Sequence, residues 1–221
     1  TCGFGATNRR GEVKIGTVGK PSPGVEIKIA SDGELLCRGE FVMLGYRNQP
    51  DKTSEAIDSD GWLHTGDIGE IDEEGYVKIV DRKKEIIINS AGKNMSPANI
   101  EAAIKSGSPL IGQAVCIGDG RPYNTALVVL DADFAPGWAE QQGLNGRSLE
   151  ELASEPESRA ELQAGIDQAN SHLARVEQIK KFTIVPGDWP PGGDELTPTM
   201  KLKRTPISAK YKGLIEAMYA G

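Results

Sequence analysis

The stretch from Gly61 to Lys93, GWLHTGDIGEIDEEGYVKIVDRKKEIIINSAGK, constrains this chain more than any other. It places an acid, Asp67, on a Thr65-Gly66-Asp67 segment that reads as a tight turn. A charged knot, Asp81-Arg82-Lys83-Lys84-Glu85, then separates two β-rich runs. Asp67 offers two acceptor oxygens and Arg82 a rigid fork of donors, a pairing suited to a diol such as ribose. Met singly, such residues are usually a surface turn and a solvated charge cluster.

Upstream of this stretch, Val13 to Arg38 reads as strands. Val25, Ile27 and Ile29 alternate with polar residues, Ser31-Asp32-Gly33 supplies a hairpin turn, and Glu34 to Arg38 returns. Asp51 to Ile57 is a short helix candidate, and Ile68–Ile71 with Tyr76–Val80 forms a hairpin around Glu73-Glu74-Gly75. Everything to about Val80 is thus β-rich.

Beyond the knot, Glu85 to Asn89 reads as a strand and Ser90-Ala91-Gly92-Lys93 as a turn. Ser96 with Pro97 starts a helix through Lys105. Gln113–Ile117 and Thr125–Leu130 are short β runs joined by Gly118-Asp119-Gly120-Arg121-Pro122, which more readily turns the chain than binds phosphate. Asp133 to Val176 reads as helical, with a Ser148/Glu151 capping box. An apolar stripe runs through Leu162, Ile166, Ala169, Leu173, Val176 and Ile179. Phe182–Val185 is a last strand and Asp188–Thr199 a loop. Thr205-Pro206 caps a final helix whose Ile207, Tyr211, Leu214, Ile215 and Met218 share a face. His172 reads as a surface or capping residue, and His64 carries no assigned role.

The net charge of −7 argues against a general nucleic-acid binder. Acidity is uneven, however: Met200 to Lys212 holds Lys201, Lys203, Arg204, Lys210 and Lys212 with no acid, a local site for anions. Lys210 and Lys212 are expected on the exposed side of the final helix. Cys2, Cys37 and Cys116 have neither disulfide nor zinc spacing and fit a reducing cytosol. No apolar run approaches membrane-spanning length.

Trp62-Leu63-x-Thr65-Gly66-Asp67, then Gly75-Tyr76, then Asp81-Arg82-Lys83-Lys84-Glu85, resembles the adenylate-forming, AMP-binding enzymes. IGDGRPYNTALVVLD and the closing LTPTMKLKR resemble their long-chain fatty-acid–CoA ligase branch. Gly33-Glu34-Leu35, Gly39, Gly45-Tyr46 and Pro50 match a further motif of that family. That motif reads as architectural, with Tyr46 as a packing residue.

The resemblance covers essentially the whole chain and implies an α+β fold. A β-rich remnant of a large N-terminal domain (1–81) would be followed by a hinge (82–86). A small mobile C-terminal domain of short sheet and packed helices (87–221) would complete the chain. It implies that Asp67 and Arg82 bind the ribose of ATP, that Lys84 is the hinge, and that Ala91 and Gly92 line the path of the coenzyme A thiol. Lys201 would be the catalytic lysine contacting the reacting carboxylate and α-phosphate. The implied reaction activates a fatty acid with ATP and Mg²⁺ to an acyl-adenylate, then forms a thioester with coenzyme A. Relatives that load a carrier protein, and a non-catalytic interaction module on the same fold, stay open as alternatives.

Gly3-Phe4-Gly5-Ala6-Thr7-Asn8 superficially resembles the family's Tyr-Gly-x-Thr-Glu motif, but Asn8 stands where the Mg²⁺-binding acid would be. No Gly/Ser/Thr-rich phosphate loop ending in Lys-Gly occurs in the sequence. The chain is therefore expected to be a C-terminal piece that is inactive alone, with its metal ligands, acyl pocket and N-terminal domain elsewhere. A cytoplasmic place is expected, with peripheral membrane contact left open.

Overall fold

The computed structural model describes Gly3 and residues 5–220. Cys2, and Phe4 of the Gly3–Asn8 stretch, lie outside the described residues. The chain separates into two compact units, Thr1–Ile86 and Ile87–Gly221, each mixing helix and sheet in an α+β arrangement.

The first unit opens with a small antiparallel pair, β1 (Ala6–Thr7) and β2 (Lys20–Pro21). A four-stranded antiparallel meander follows: β3 (Glu26–Ile29), β4 (Glu34–Arg38), β5 (Leu63–Ile71) and β6 (Val77–Arg82), with α1 (Pro50–Ala56) between β4 and β5. The alternation of Ile27 and Ile29 and the Asp32-Gly33 turn yield the expected hairpin, with Glu26 opposite Arg38 and Ile29 opposite Leu35. Leu35, Leu36 and Cys37 are buried together with Trp62, Leu63, Tyr76 and Val77. Val13 to Val18 forms no strand, because Val13 and Ile15 stay exposed and no neighbouring strand pairs with them. β propensity without a partner to bury it makes no ladder.

The Thr65-Gly66-Asp67 turn expected from sequence is instead a bulge within β5. Glu34 pairs with Ile68 and Leu36 with His64, so Leu35 faces Thr65, Gly66 and Asp67 together. Gly66 takes φ +73°, which a side chain rarely tolerates.

The second unit begins with a short hairpin, β7 (Ile87–Ile88) and β8 (Asn94–Met95), shorter than the expected 85–89 strand. Helix α2 (Pro97–Gly107) starts where Ser96 accepts from the Asn99 N–H. A three-stranded sheet then forms from β9 (Ile111–Ile117), β10 (Asn124–Leu130) and β11 (Ile179–Val185). β10 is central, antiparallel to β9 and parallel to β11. The crossover between β10 and β11 holds α3 (Ala135–Gln141), α4 (Leu149–Leu152) and α5 (Pro156–His172). Thus the expected helical span 133–176 is broken twice. The Ser148/Glu151 capping box is present at α4. The apolar stripe ends early, since Val176 is exposed and Ile179 belongs to β11.

Every residue of β10 is buried, and its two faces serve different cores. Ala126, Val128 and Leu130 pack with Ile100, Ile104, Leu162 and Ile166 of α2 and α5. Leu127 and Val129 pack with residues of α6 (Arg204–Lys210) and α7 (Lys212–Tyr219), namely Ile207, Ile215 and Met218. Each fully buried aliphatic side chain contributes about 1.5–3 kcal/mol, so this strand and its two layers dominate the unit's stability. The single final helix expected from sequence is two, broken at Tyr211. Thr205 lies inside the first turn of α6, Lys203 holds the N-cap position without a side-chain cap, and Leu214 stays exposed.

The loop before α6 is knit by a buried carboxylate. Glu195 is 4% exposed and accepts from Lys210 Nζ at 2.5 Å and Tyr211 Oη at 2.9 Å. Tyr211 Oη accepts from Trp189 Nε1 at 3.1 Å. Lys210 is therefore a buried acid's partner and not an idle surface cation, a correction to its sequence reading.

Two stability measurements test this packing. A Cβ on Gly107 of α2 would lie 2.1 Å from the Gly165 carbonyl oxygen of α5, whereas one on Gly137 of α3 meets nothing within 4 Å. Gly107→Ala should cost about 1–3 kcal/mol in denaturant unfolding, while Gly137→Ala should gain roughly 0.5–1 kcal/mol. The second concerns Glu195. Burial pushes its carboxyl up, but the Lys210 and Tyr211 hydrogen bonds outweigh this and hold it below the ordinary value. The folded form then binds fewer protons than the unfolded. Its contribution is whole above the unfolded glutamate value of 4.5 and is lost as pH falls through the lower folded value. Subtracting the stability profile of Glu195→Gln from that of the native chain should leave a difference that shrinks below about pH 4.5.

Candidate functional site

Asp67 and Arg82 face each other across the β5–β6 ladder, and Arg82 Nε lies 3.0 Å from Asp67 Oδ1. The sequence suggested the two as a pairing suited to a diol, without showing how they would meet. The register makes them neighbours, with Arg82 Nη1 also donating to the Thr65 carbonyl at 3.4 Å. Asp67 Oδ2 has no hydrogen-bond partner among the described residues. Burial raises the Asp67 carboxyl above the usual aspartate value, Arg82 opposes this, and Glu34 and Asp81 add to it.

The bulge that presents Asp67 hangs on Glu34, a residue the sequence reading treated as architectural. Its carboxylate is 4% exposed. Oε1 accepts from the Gly66 N–H at 2.8 Å, while Oε2 lies 3.2 Å from His64 Nδ1 and 2.9 Å from Lys83 Nζ. The Lys83 N–H in turn donates to the Gly66 carbonyl at 2.8 Å. Thr65 Oγ1 donates to the Leu35 carbonyl at 2.7 Å and accepts from the Asp67 N–H at 3.1 Å. One buried acid thus fixes both the Asp67 bulge and the segment carrying Arg82 and Lys84. Burial raises Glu34, but Lys83, the Gly66 N–H and His64 together bring it below the ordinary glutamate value.

Lys84 is exposed, in a turn closed by the Glu85 and Ile86 N–H groups donating to the Arg82 carbonyl at 2.9 and 3.1 Å. An open cleft of about 510 Å³ is lined by Lys84, Arg82, Thr65, His64 and Tyr46. Tyr46 is 48% exposed and borders this cleft, so it is not the packing residue its motif suggested.

In the second unit, Ala91 and Gly92 lie on the loop of the β7–β8 hairpin. Asn89 Oδ1 accepts from the Ala91 and Lys93 N–H groups at 3.0 and 2.9 Å, and Gly92 takes φ +73°. Lys201 sits on a second tight loop. Leu196 and Leu202 pair across it, the Thr197 N–H donates to the Lys201 carbonyl at 2.9 Å, and Thr197 Oγ1 accepts the Lys201 N–H at 3.0 Å. Met200 at the tip takes φ +61°. Both ends of this loop are anchored, by buried Leu196 and by the Lys203 N–H donating to the Glu195 carbonyl at 2.7 Å.

The basic stretch 200–212 resolves into distinct roles. Lys203 Nζ donates to the Gly193 carbonyl at 2.8 Å, and Lys210 holds Glu195. Arg204 grips Glu101 of α2 with Nη1 and Nη2 at 2.6 and 2.8 Å, while Glu101 also accepts the Cys116 N–H at 2.8 Å. The ammonium groups of Lys201 and Lys212 have no hydrogen-bond or ion-pair partner among the described residues. Of these two, Lys201 is on the loop and Lys212 on α7. No group of three or more His, Cys, Asp or Glu side chains poised for a metal ion occurs among the described residues.

Comparison with known proteins bears on these features. Residues 84–221 match the family model for the AMP-binding enzyme C-terminal domain. A Mycobacterium tuberculosis protein named fatty-acid–CoA ligase fadD11 is 59% identical over 207 residues, which is 94% of this chain and 36% of that protein. Long-chain-fatty-acid–CoA ligase FadD15 of the same organism is 44% identical over 220 residues, 99% of this chain and 36% of its own length. The chain thus spans about a third of the curated relatives it matches. Among solved structures, the adenylation domain of a Mycobacterium chelonae carboxylate reductase superposes with a TM-score of 0.73. It is 22% identical and covers 93% of this chain and 32% of its own, a likeness of fold. The chain belongs to the AMP-binding enzymes, and residues 84–221 are their C-terminal domain.

Proposed function

We propose that this chain is part of a long-chain fatty-acid–CoA ligase, in which ATP activates a fatty carboxylate and coenzyme A receives the acyl group. The observation that carries the reading is Lys201. Three of its four basic neighbours in 200–212 are committed to internal acceptors, while its own ammonium is unpartnered on an anchored loop. A cation already neutralised by an internal acceptor has less charge to offer a substrate than a free one on a firm base. Support also comes from the family match and from the names of the two mycobacterial relatives.

In the first step a carboxylate oxygen attacks the α-phosphorus of ATP and pyrophosphate leaves with the electron pair. Negative charge grows on the α-phosphoryl oxygens, and Lys201 stabilises that charge selectively. Asp67 receives hydrogen bonds from the ribose hydroxyls, with Arg82 beside it as donor. Mg²⁺ would neutralise the triphosphate; its ligands are assigned to the part of the enzyme that this chain does not span. In the second step the coenzyme A thiol gives up its proton to solvent and its sulfur attacks the acyl carbon. AMP departs with the electron pair of the acyl–oxygen bond, and Gly92 allows the thiol close approach to the hairpin backbone. The reading places residues 82–86 as the hinge between 1–81 and 87–221, with Lys84 at its centre. It also places the enzyme in the cytoplasm with peripheral access to a membrane.

Two experiments on the full-length enzyme test this. Lys201→Ala should lower pyrophosphate release from ATP and fatty acid by about a hundredfold or more. It should leave CoA-dependent consumption of supplied acyl-adenylate nearly unchanged. Lys212→Ala is the fair control and should change neither, whereas Lys210→Ala should destabilise the fold by stranding Glu195. Equal loss in both assays, or a Lys212→Ala defect matching Lys201→Ala, defeats the single-lysine mechanism. A carrier protein replacing coenzyme A as acceptor would move the enzyme to the carrier-loading class.

The second experiment is Lys84→Pro. The Lys84 N–H makes no backbone hydrogen bond among the described residues, so proline removes none while fixing φ. If the backbone must rotate here between steps, pyrophosphate release should survive and thioester formation should fall sharply. Equal loss of both removes the hinge assignment.

A further inference from the structure

The Gly118–Arg121 turn has no place in the chemistry above, yet it does more than reverse the chain. Asp119 Oδ1 accepts the Ile88 N–H at 3.0 Å, and the Gly120 N–H donates to the Ile88 carbonyl at 2.8 Å. The Ser90 N–H donates to the Arg121 carbonyl at 3.0 Å. The turn therefore binds β7 as a third strand would, along the edge that leads directly into Ala91 and Gly92. A Cβ on Gly118 would lie 3.1 Å from Ile87 Cγ2 and 2.0 Å from Asn124 Oδ1, so the turn and hairpin are in close contact. The other side of the hairpin is held from below, where the Asn124 amide reaches buried Met95 of β8 at 3.3 Å.

The same turn is fastened to the last helix. The Arg121 guanidinium makes a two-pronged ion pair with Glu216 of α7 and lies 4.6 Å over the Tyr219 ring. The Tyr219 hydroxyl lies 2.9 Å from the Ile117 carbonyl oxygen and 3.0 Å from that of Tyr123. Tyr123 Oη donates to the Met218 carbonyl at 3.1 Å, and the two tyrosine rings are 5.1 Å apart. A continuous set of contacts thus runs from α7 through Arg121 and Asp119 to the hairpin loop.

We propose that Asp119 and Arg121 are positioning residues for thioester formation, holding the Ala91–Gly92 loop at the angle the incoming thiol requires. This rests on reading that loop as the path of the thiol. Neither residue touches the adenylating lysine's loop, so their loss separates the two half-reactions. A surface hydrogen bond of merely structural value would affect both alike.

The test uses the full-length enzyme with Asp119→Ala, Asp119→Asn and Arg121→Ala. Pyrophosphate release from ATP and fatty acid should stay within about twofold of native in all three. Thioester formation from supplied acyl-adenylate should fall about tenfold in kcat/KM for coenzyme A with Asp119→Ala, the scale of one lost positioning hydrogen bond. Arg121→Ala should show a smaller loss confined to the same step. Asp119→Asn should be close to native, because the amide oxygen still accepts the Ile88 N–H. Equal losses in both assays, full thioester activity in Asp119→Ala, or failure of the Asn variant to restore it overturns the proposal. If the unmodified enzyme makes no acyl-adenylate, the ligase reading itself falls and takes this one with it. If it makes acyl-adenylate but ignores coenzyme A, only the thiol-path reading and this proposal fall.

Discussion

The Glu34 carboxylate is the constraint on which the first unit's polar face depends. A buried carboxylate is tolerable only when donors surround it, because its desolvation costs several kcal/mol. Here the donors are the Gly66 N–H, Lys83 Nζ and the His64 ring, which come from the β5 bulge and from the segment after β6. Satisfying one acid therefore forces those segments into a single arrangement. Asp67 is displayed from that bulge, and Arg82 reaches across to it. The Asp67–Arg82 pair is pre-set by hydrogen bonds that Glu34 makes to its chain neighbours, Gly66 and Lys83.

In the second unit the comparable constraint is apolar. β10 is buried on both faces, so helices must cover both, and their order in the chain decides which layer each joins. The near-continuous apolar run Ala126–Leu130 showed a strand. It could not show that alternate residues serve two cores, because that depends on which helices return to which side. The same limit explains the breaks in the 133–176 span. An apolar stripe of helical period was visible, but Val176 and Ile179 follow the period without being on the helix. Periodicity records where apolar residues are, and tertiary packing decides where a helix stops.

Candidate site residues could be named from sequence where residue type and motif coincide. Asp67, Arg82, Lys84, Ala91, Gly92 and Lys201 were named in this way, and the structure shows the surroundings of each. Long-range partners were not legible. Glu101 lies far along the chain from Arg204, and Glu195 is separated from Lys210 by the Lys201 loop itself. Apart from the motif that singles out Lys201, nothing in the sequence of this short stretch shows that Arg204 and Lys210 are taken up by buried acids. Tyr46 was misjudged for a related reason. Its motif neighbours are architectural, since a Cβ on Gly45 would lie 2.7 Å from Thr53 Cγ2, and that role was extended one residue too far.

The division of the basic residues has a mechanistic consequence. Charge offered to a transition state is effective to the extent that it is neither already neutralised nor free to wander. Lys201 meets the first condition because its ammonium has no hydrogen-bond or ion-pair partner among the described residues, whereas Arg204 is paired with Glu101 and Lys210 with Glu195. It meets the second because Thr197 closes the loop through both backbone and hydroxyl, and Leu196 anchors it in the core. Removing Arg204 or Lys210 would leave a buried carboxylate in want of a cation, at a cost to the stability of the fold. The basic neighbours Lys203, Arg204 and Lys210 are spent on internal acceptors, which leaves the Lys201 ammonium as the unpartnered charge on the anchored loop.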